Sequence, residues 1–73
     1  MPSKYPVVKP KELIDFLYTK GFWYVSQNGS HRKYTNGKLV VIVPMHYEIK
    51  KGTLKCILSQ AQIPVEDLIE CFE

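Results

Sequence analysis

No apolar run in the sequence exceeds the five residues of Leu39–Val43, far short of the roughly 18 that a membrane-spanning helix needs. The opening residues, MPSKYPVVKP, hold neither the apolar centre nor the small-residue cleavage site of a secretory signal. Cysteine is scarce, with only Cys56 and Cys71. One pair is a poor basis for a disulfide scaffold, and no CxxC spacing is available for a metal. Both fall in helical patterns and are expected as reduced thiols in or beside the core of a cytoplasmic protein. There is no Gly-rich phosphate loop, no Ser-His-Asp order and no pair of strand carboxylates. Nucleotide cradling by a P-loop and triad hydrolysis are thereby excluded. At 73 residues the chain is expected to be a single domain over 1–73, able to bury only roughly 60% of its unfolded surface. It is too short for a cofactor domain beside a substrate domain, and neither cofactor nor metal is expected.

What is present is a folded-domain composition, with 45% hydrophobic residues, and an uneven charge. Residues 1–55 carry all ten Lys and Arg against Glu12, Asp15 and Glu48, a net of +7. Residues 56–73 carry Glu66, Asp67, Glu70 and Glu73, a net of −4. A basic body with an acidic tail suits a phosphate-rich ligand on one side, although an ordinary solvated surface has the same look.

The chain opens with an extended arm over 1–9, where Pro2 and Pro6 discourage regular structure. Pro10 suits a first helical turn; Leu13, Ile14, Leu17 and Tyr18 then recur at helical spacing, and Gly21 stops the helix. Phe22–Gln27 is aromatic and β-branched and predicts a strand. Asn28-Gly29 and Asn36-Gly37 are hairpin signals on either side of a second strand, Ser30–Thr35. A third strand, Leu39–Val43, ends at Pro44, and 44–51 is a loop. Leu54, Ile57, Leu58 and Ala61 give a second helix, capped by Gly52 or Thr53. Pro64 starts a short last helix with Val65, Leu68, Ile69 and Phe72 on one side. The expected fold is α+β, a helix, a three-stranded antiparallel meander and helices, which is also the element order of the double-stranded-RNA-binding domain.

Two-residue turns at both Asn-Gly pairs set Ser26 opposite His31, Tyr24 opposite Lys33, His31 opposite Ile42 and Lys33 opposite Val40. His31 and Lys33 then share one face. Arg32 and Tyr34 take the other, with Trp23, Val25, Leu39 and Val41. The sequence leaves open which face the helices cover.

The chemistry-bearing residues are His31 beside a Gly-Ser turn, His46 after Pro44, and a basic set of Arg32, Lys33, Lys50, Lys51 and Lys55. Histidine both takes and gives a proton near neutral pH. RNA brings its own nucleophile, the 2′-hydroxyl, so a histidine and a few cations suffice to cleave it without a metal. A lone histidine by a hairpin is nevertheless more often a surface residue, and Lys50-Lys51 is more often a solvated run. A non-catalytic RNA-binding module is the alternative on these residues, and a protein-interaction domain a third.

The segments ELIDFLYTKGF (12–22), QNGSHRKYT (27–35), VVIVPMH (40–46) and KKGTLKCILSQAQI (50–63) together resemble the HicA toxin family, small mRNA interferases of toxin–antitoxin pairs. The most specific pieces are Gly29-Ser30-His31 and Lys51-Gly52-Thr53-Leu54. The resemblance implies a double-stranded-RNA-binding-domain-like fold and an endoribonuclease acting on mRNA. It also implies inhibition by a HicB-type antitoxin, often within a larger toxin–antitoxin oligomer. It makes His31 the catalytic residue. RNA-binding roles then fall to Gly29, Ser30, Lys33, Lys50, Lys51 and Lys55, and His46 becomes a candidate second proton partner. Two departures, Pro64 and the N-terminal arm, leave the motif untouched.

Overall fold

The computed structural model describes residues 5–72, without the side chain of Phe72. Residues 1–4 of the expected arm and Glu73 lie outside the described residues. The elements are α1 (Pro10–Thr19), β1 (Trp23–Asn28), β2 (His31–Thr35), β3 (Val40–Pro44), α2 (Lys51–Ala61) and α3 (Val65–Phe72). The three strands form one antiparallel sheet in the order β1-β2-β3. This is the α+β, double-stranded-RNA-binding-domain-like arrangement expected.

Pro10 occupies the first turn of α1, and the Lys9 backbone N–H donates to the Glu12 carboxylate at 2.8 Å. At the other end, Gly21 (φ 85°) lets the chain reverse. The N–H groups of Gly21 and Phe22 donate back to Tyr18 and Leu17, which satisfies carbonyls the helix leaves open. The same closure ends α2, where Gln62 and Ile63 donate to Ser59 and Leu58. There the left-handed position is filled by Gln62 at φ 57°.

The turns differ from the expected ones, and with them the registers. β1 runs through Asn28, so the two-residue turn is Gly29-Ser30 rather than Asn28-Gly29, and His31 pairs with Asn28, not Ser26. Lys33 pairs with Ser26, not Tyr24. Between β2 and β3 the connection is four residues, Asn36–Leu39. The Asn36 side-chain carbonyl accepts from the N–H groups of Lys38 (2.9 Å) and Leu39 (2.7 Å). Thr35 Oγ1 donates to the Leu39 carbonyl at 2.7 Å. These side-chain bonds stabilise a longer Asx-type loop over the two-residue turn. His31 therefore pairs with Pro44 and Lys33 with Ile42, not with Ile42 and Val40. A shift of two residues preserves the faces of β2, so His31 and Lys33 do share one.

β1 is where faces change. A bulge between Tyr24 and Ser26 absorbs one residue. Tyr24 consequently pairs with Tyr34, and Trp23 pairs with Thr35. Trp23 lies on the His31 face, and Tyr24 on the other, the reverse of the expectation.

The face that meets the helices is that of Tyr34, Val41 and Val43, all at most 1% exposed. Leu13, Ile14, Phe16 and Leu17 of α1, Leu54, Ile57, Leu58 and Ala61 of α2, and Val65 and Leu68 of α3 complete the core. The arm joins it through Val8, which pairs antiparallel with Ile49 in the loop before α2. Both side chains are buried. Lys20 reaches Asp67 at 3.0 Å, tying α1 to α3. Cys56 and Cys71 are free but exposed, not in the core: the buried stripe of α2 is filled by Leu54, Ile57, Leu58 and Ala61, leaving Cys56 on its outer side. Among the described residues no helix is long and apolar enough to cross a membrane.

Candidate active site

β2 begins at His31, directly after the Gly29-Ser30 turn. Gly29 adopts φ 61°, and a Cβ placed there would meet nothing within 4 Å. The turn needs glycine for its backbone conformation, not for space. His31 is exposed on the face away from the helices. The ladder sets two rows across the sheet there: Ser26, Lys33 and Ile42 in one, Asn28, His31 and Pro44 in the next. Ser26, Asn28, His31, Lys33 and Ile42 line an open hollow of about 370 Å³. Ser30, in the turn, is exposed but does not line this hollow.

The second histidine is delivered by the backbone. The Met45 N–H donates to the Ser30 carbonyl at 2.6 Å, continuing the β2–β3 ladder one step past Pro44. His46 then lies against His31, ring edge to ring face, with centroids 6.2 Å apart and planes at 66°. Sequence named His46 only as a candidate second proton partner; its contact with His31 depends on a register that the turns decide.

His46 also lines a neighbouring hollow of about 400 Å³, with Tyr47, Glu48, Lys50 and Thr53. This hollow adjoins the start of α2, whose first N–H groups have no intrahelical acceptors and whose first turn holds no acid. Lys50 is its N-cap and makes no side-chain cap. The candidates thus divide. His31 and Lys33 share the first hollow, and His46 and Lys50 the second. Lys51 and Lys55 line neither; they are exposed on α2, one turn apart on the same side of the helix.

Two polar residues of the hairpin escaped the sequence reading. Asn28, assigned there to the turn, stands directly across from His31. Gln27 braces the turn, its amide N–H₂ donating to the Gly29 carbonyl at 2.9 Å and its amide oxygen accepting from Arg32 Nε at 3.1 Å. A frame one residue different would have exposed both. Among the described residues no group of three or more His, Cys, Asp or Glu side chains is arranged to hold a metal ion.

The arrangement offers two imidazoles in contact at the open end of a sheet, an ammonium beside one, and a helix start with a lysine beside the other. That suits a ligand whose reacting centre is a phosphate. Residues 10–63 match the family model described as HicA toxin of bacterial toxin-antitoxin. The match runs from the start of α1 to the end of α2 and contains every residue of both hollows. No curated protein matches the chain.

Proposed function

The chain belongs to the HicA toxin family of bacterial toxin–antitoxin systems, and on that basis we propose that it is a metal-independent endoribonuclease that cleaves mRNA, with His31 as its catalytic residue. The observation that carries this reading is the contact of His31 with His46. Cleavage by the RNA's own 2′-hydroxyl needs one group to remove a proton and another to supply one. In this reading His31 takes the 2′-hydroxyl proton as the 2′-oxygen attacks phosphorus. The bond from phosphorus to the 5′-oxygen breaks, and His46 gives that oxygen a proton. The products are a 2′,3′-cyclic phosphate and a free 5′-hydroxyl, and the opposite assignment of acid and base balances equally.

Lys33 stabilises the charge that gathers on the phosphate oxygens. Gly29 and Ser30 let the RNA backbone approach the turn closely. Lys50, Lys51, Lys55 and the first turn of α2 hold phosphates on either side. A toxin of this family implies an antitoxin partner. We take that partner to be a HicB-type protein that covers the His31 face in the cytoplasm, where mRNA is also met, within a larger toxin–antitoxin oligomer.

The test is His31→Ala. This variant should fold and bind antitoxin but release no fragments from labelled RNA in EDTA, and its expression should not arrest growth. Undiminished toxicity would overturn the assignment. RNA binding by the unmodified protein without any fragments would instead identify a non-catalytic RNA-binding module.

A further inference from the structure

The other side of the hairpin holds a feature that this chemistry does not use. Tyr18 from α1, Tyr24 and Gln27 from β1, and Arg32 and Tyr34 from β2 line a hollow of about 300 Å³. That volume is at the lower end of those that hold small ligands. Tyr34 is its floor. The rings of Tyr18 and Tyr24 stand edge-on to Tyr34, with centroids at 6.1 and 5.9 Å. Those two outer tyrosines are 51% and 47% exposed, so each offers a ring surface to the solvent.

Two groups in this slot lack protein partners. Tyr34 is only 1% exposed, yet no hydrogen bond to its hydroxyl exists among the described residues. Among the described residues no buried side-chain polar atom goes unsatisfied, so the little of Tyr34 that is exposed includes its hydroxyl. Arg32 has its Nε held by Gln27, and no carboxylate pairs with it among the described residues. Its two terminal nitrogens are left as a fixed, unpaired fork, which matches a group with two acceptor oxygens in one plane.

Aromatic rings beside an unpaired arginine are the composition of single-stranded nucleic-acid sites, where an unstacked base lies on a ring and a cation holds its phosphate. The location agrees. Arg32 follows His31 in β2, so the slot and the two-histidine hollow lie back to back across one sheet layer. Between them is the Gly29-Ser30 tip, open to solvent, on the hairpin that forms one edge of the sheet.

We infer that this slot is a nucleotide subsite: one unpaired nucleotide of the RNA, its base against Tyr18 and Tyr24, its edge on the Tyr34 hydroxyl and its phosphate on Arg32. The strand passes over the hairpin tip from the His31 face. The inference rests on the ribonuclease reading for the identity of the ligand. It adds a requirement that the element order does not suggest, because a base within a duplex cannot enter the slot.

The experiment uses the full chain carrying His31→Ala, so that RNA survives, and measures binding of a labelled single-stranded oligoribonucleotide and of its duplex by fluorescence anisotropy. Tyr24→Leu, Arg32→Gln and Tyr34→Phe are added one at a time. Each should weaken single-strand binding, roughly 5- to 150-fold where a stacked base is lost, and leave duplex binding unchanged. Tyr24 is half exposed, so its variant reports even if Tyr34→Phe disturbs packing. Unchanged single-strand affinity in all of these variants would overturn the subsite, as would equal losses for the duplex. Loss of antitoxin binding with RNA binding intact would reassign the slot to a protein partner. The two readings fail separately. A wild-type chain that binds single strands through the slot but never cleaves defeats only the ribonuclease. A chain that cleaves through His31 with all slot variants binding normally defeats only the subsite.

Discussion

His31 stands exposed at the start of β2, with Asn28 across the ladder, Lys33 two residues on and the His46 ring against its own. The neighbours that give it a role are Asn28, Lys33 and His46. Of these only Lys33 followed from strand alternation, because alternation survives a two-residue register shift and cross-strand identities do not. His46 is brought in by one main-chain bond, from Met45 to the Ser30 carbonyl, and no side-chain pattern encodes it. If it is the second proton partner, His46→Ala should lower the cleavage rate by about 10²- to 10⁴-fold, the range for loss of a general acid or base. It should also remove one limb of the pH–rate profile. Combined with His31→Ala it should cost little more than His31→Ala alone, since residues that act as a unit are not additive. A full additional loss in the double variant would show that the two histidines act independently.

At the level of elements, the helices were readable because their apolar stripes repeat, although α2 begins at Lys51 with Lys50 as its N-cap rather than with Gly52 or Thr53 as its cap. The strands were placed correctly but paired incorrectly. Asn-Gly predicts a turn without saying whether Asn belongs to it: at Asn28-Gly29 the asparagine stays in the strand, and at Asn36-Gly37 its side chain holds a longer loop. The bulge beside Val25 had no signal at all in a run of four aromatic and β-branched residues, and it alone decides that Trp23 and Tyr24 exchange faces. One helix end also departs from its usual chemistry. Gln62 holds a left-handed conformation that costs a side-chain-bearing residue about 1–2 kcal/mol. Gln62→Gly should therefore stabilise the protein by about 0.5–1 kcal/mol, because some of that relief is offset by the greater freedom of glycine when unfolded. A denaturant midpoint that moves upward with an unchanged slope would confirm it, and a midpoint that falls would contradict it.

Across the whole molecule, charge and topology act together. The acids of residues 66 and 67 begin α3, and Asp67 is taken up by Lys20. That pair is more than a third exposed on both sides, so its contribution is at most about 1 kcal/mol and less in salt. The lysines of the α2 start have no such partners among the described residues. If they hold RNA phosphates, each of Lys50→Gln, Lys51→Gln and Lys55→Gln should weaken binding and lower the slope of log affinity against log salt by about 1. A slope that stays constant in all three would remove the lysine clamp. The bridge between Val8 and Ile49 bears on the order in which these parts come together. The hairpin that carries His31 joins adjacent stretches of chain, whereas the loop that carries His46 is anchored by an arm from far back in the sequence. Closing the longer loop costs more entropy before any contact repays it. His46 therefore sits between two holds of different range, the Met45–Ser30 bond made within the sheet and the Val8–Ile49 bridge made by the arm, and the second is the costlier to close.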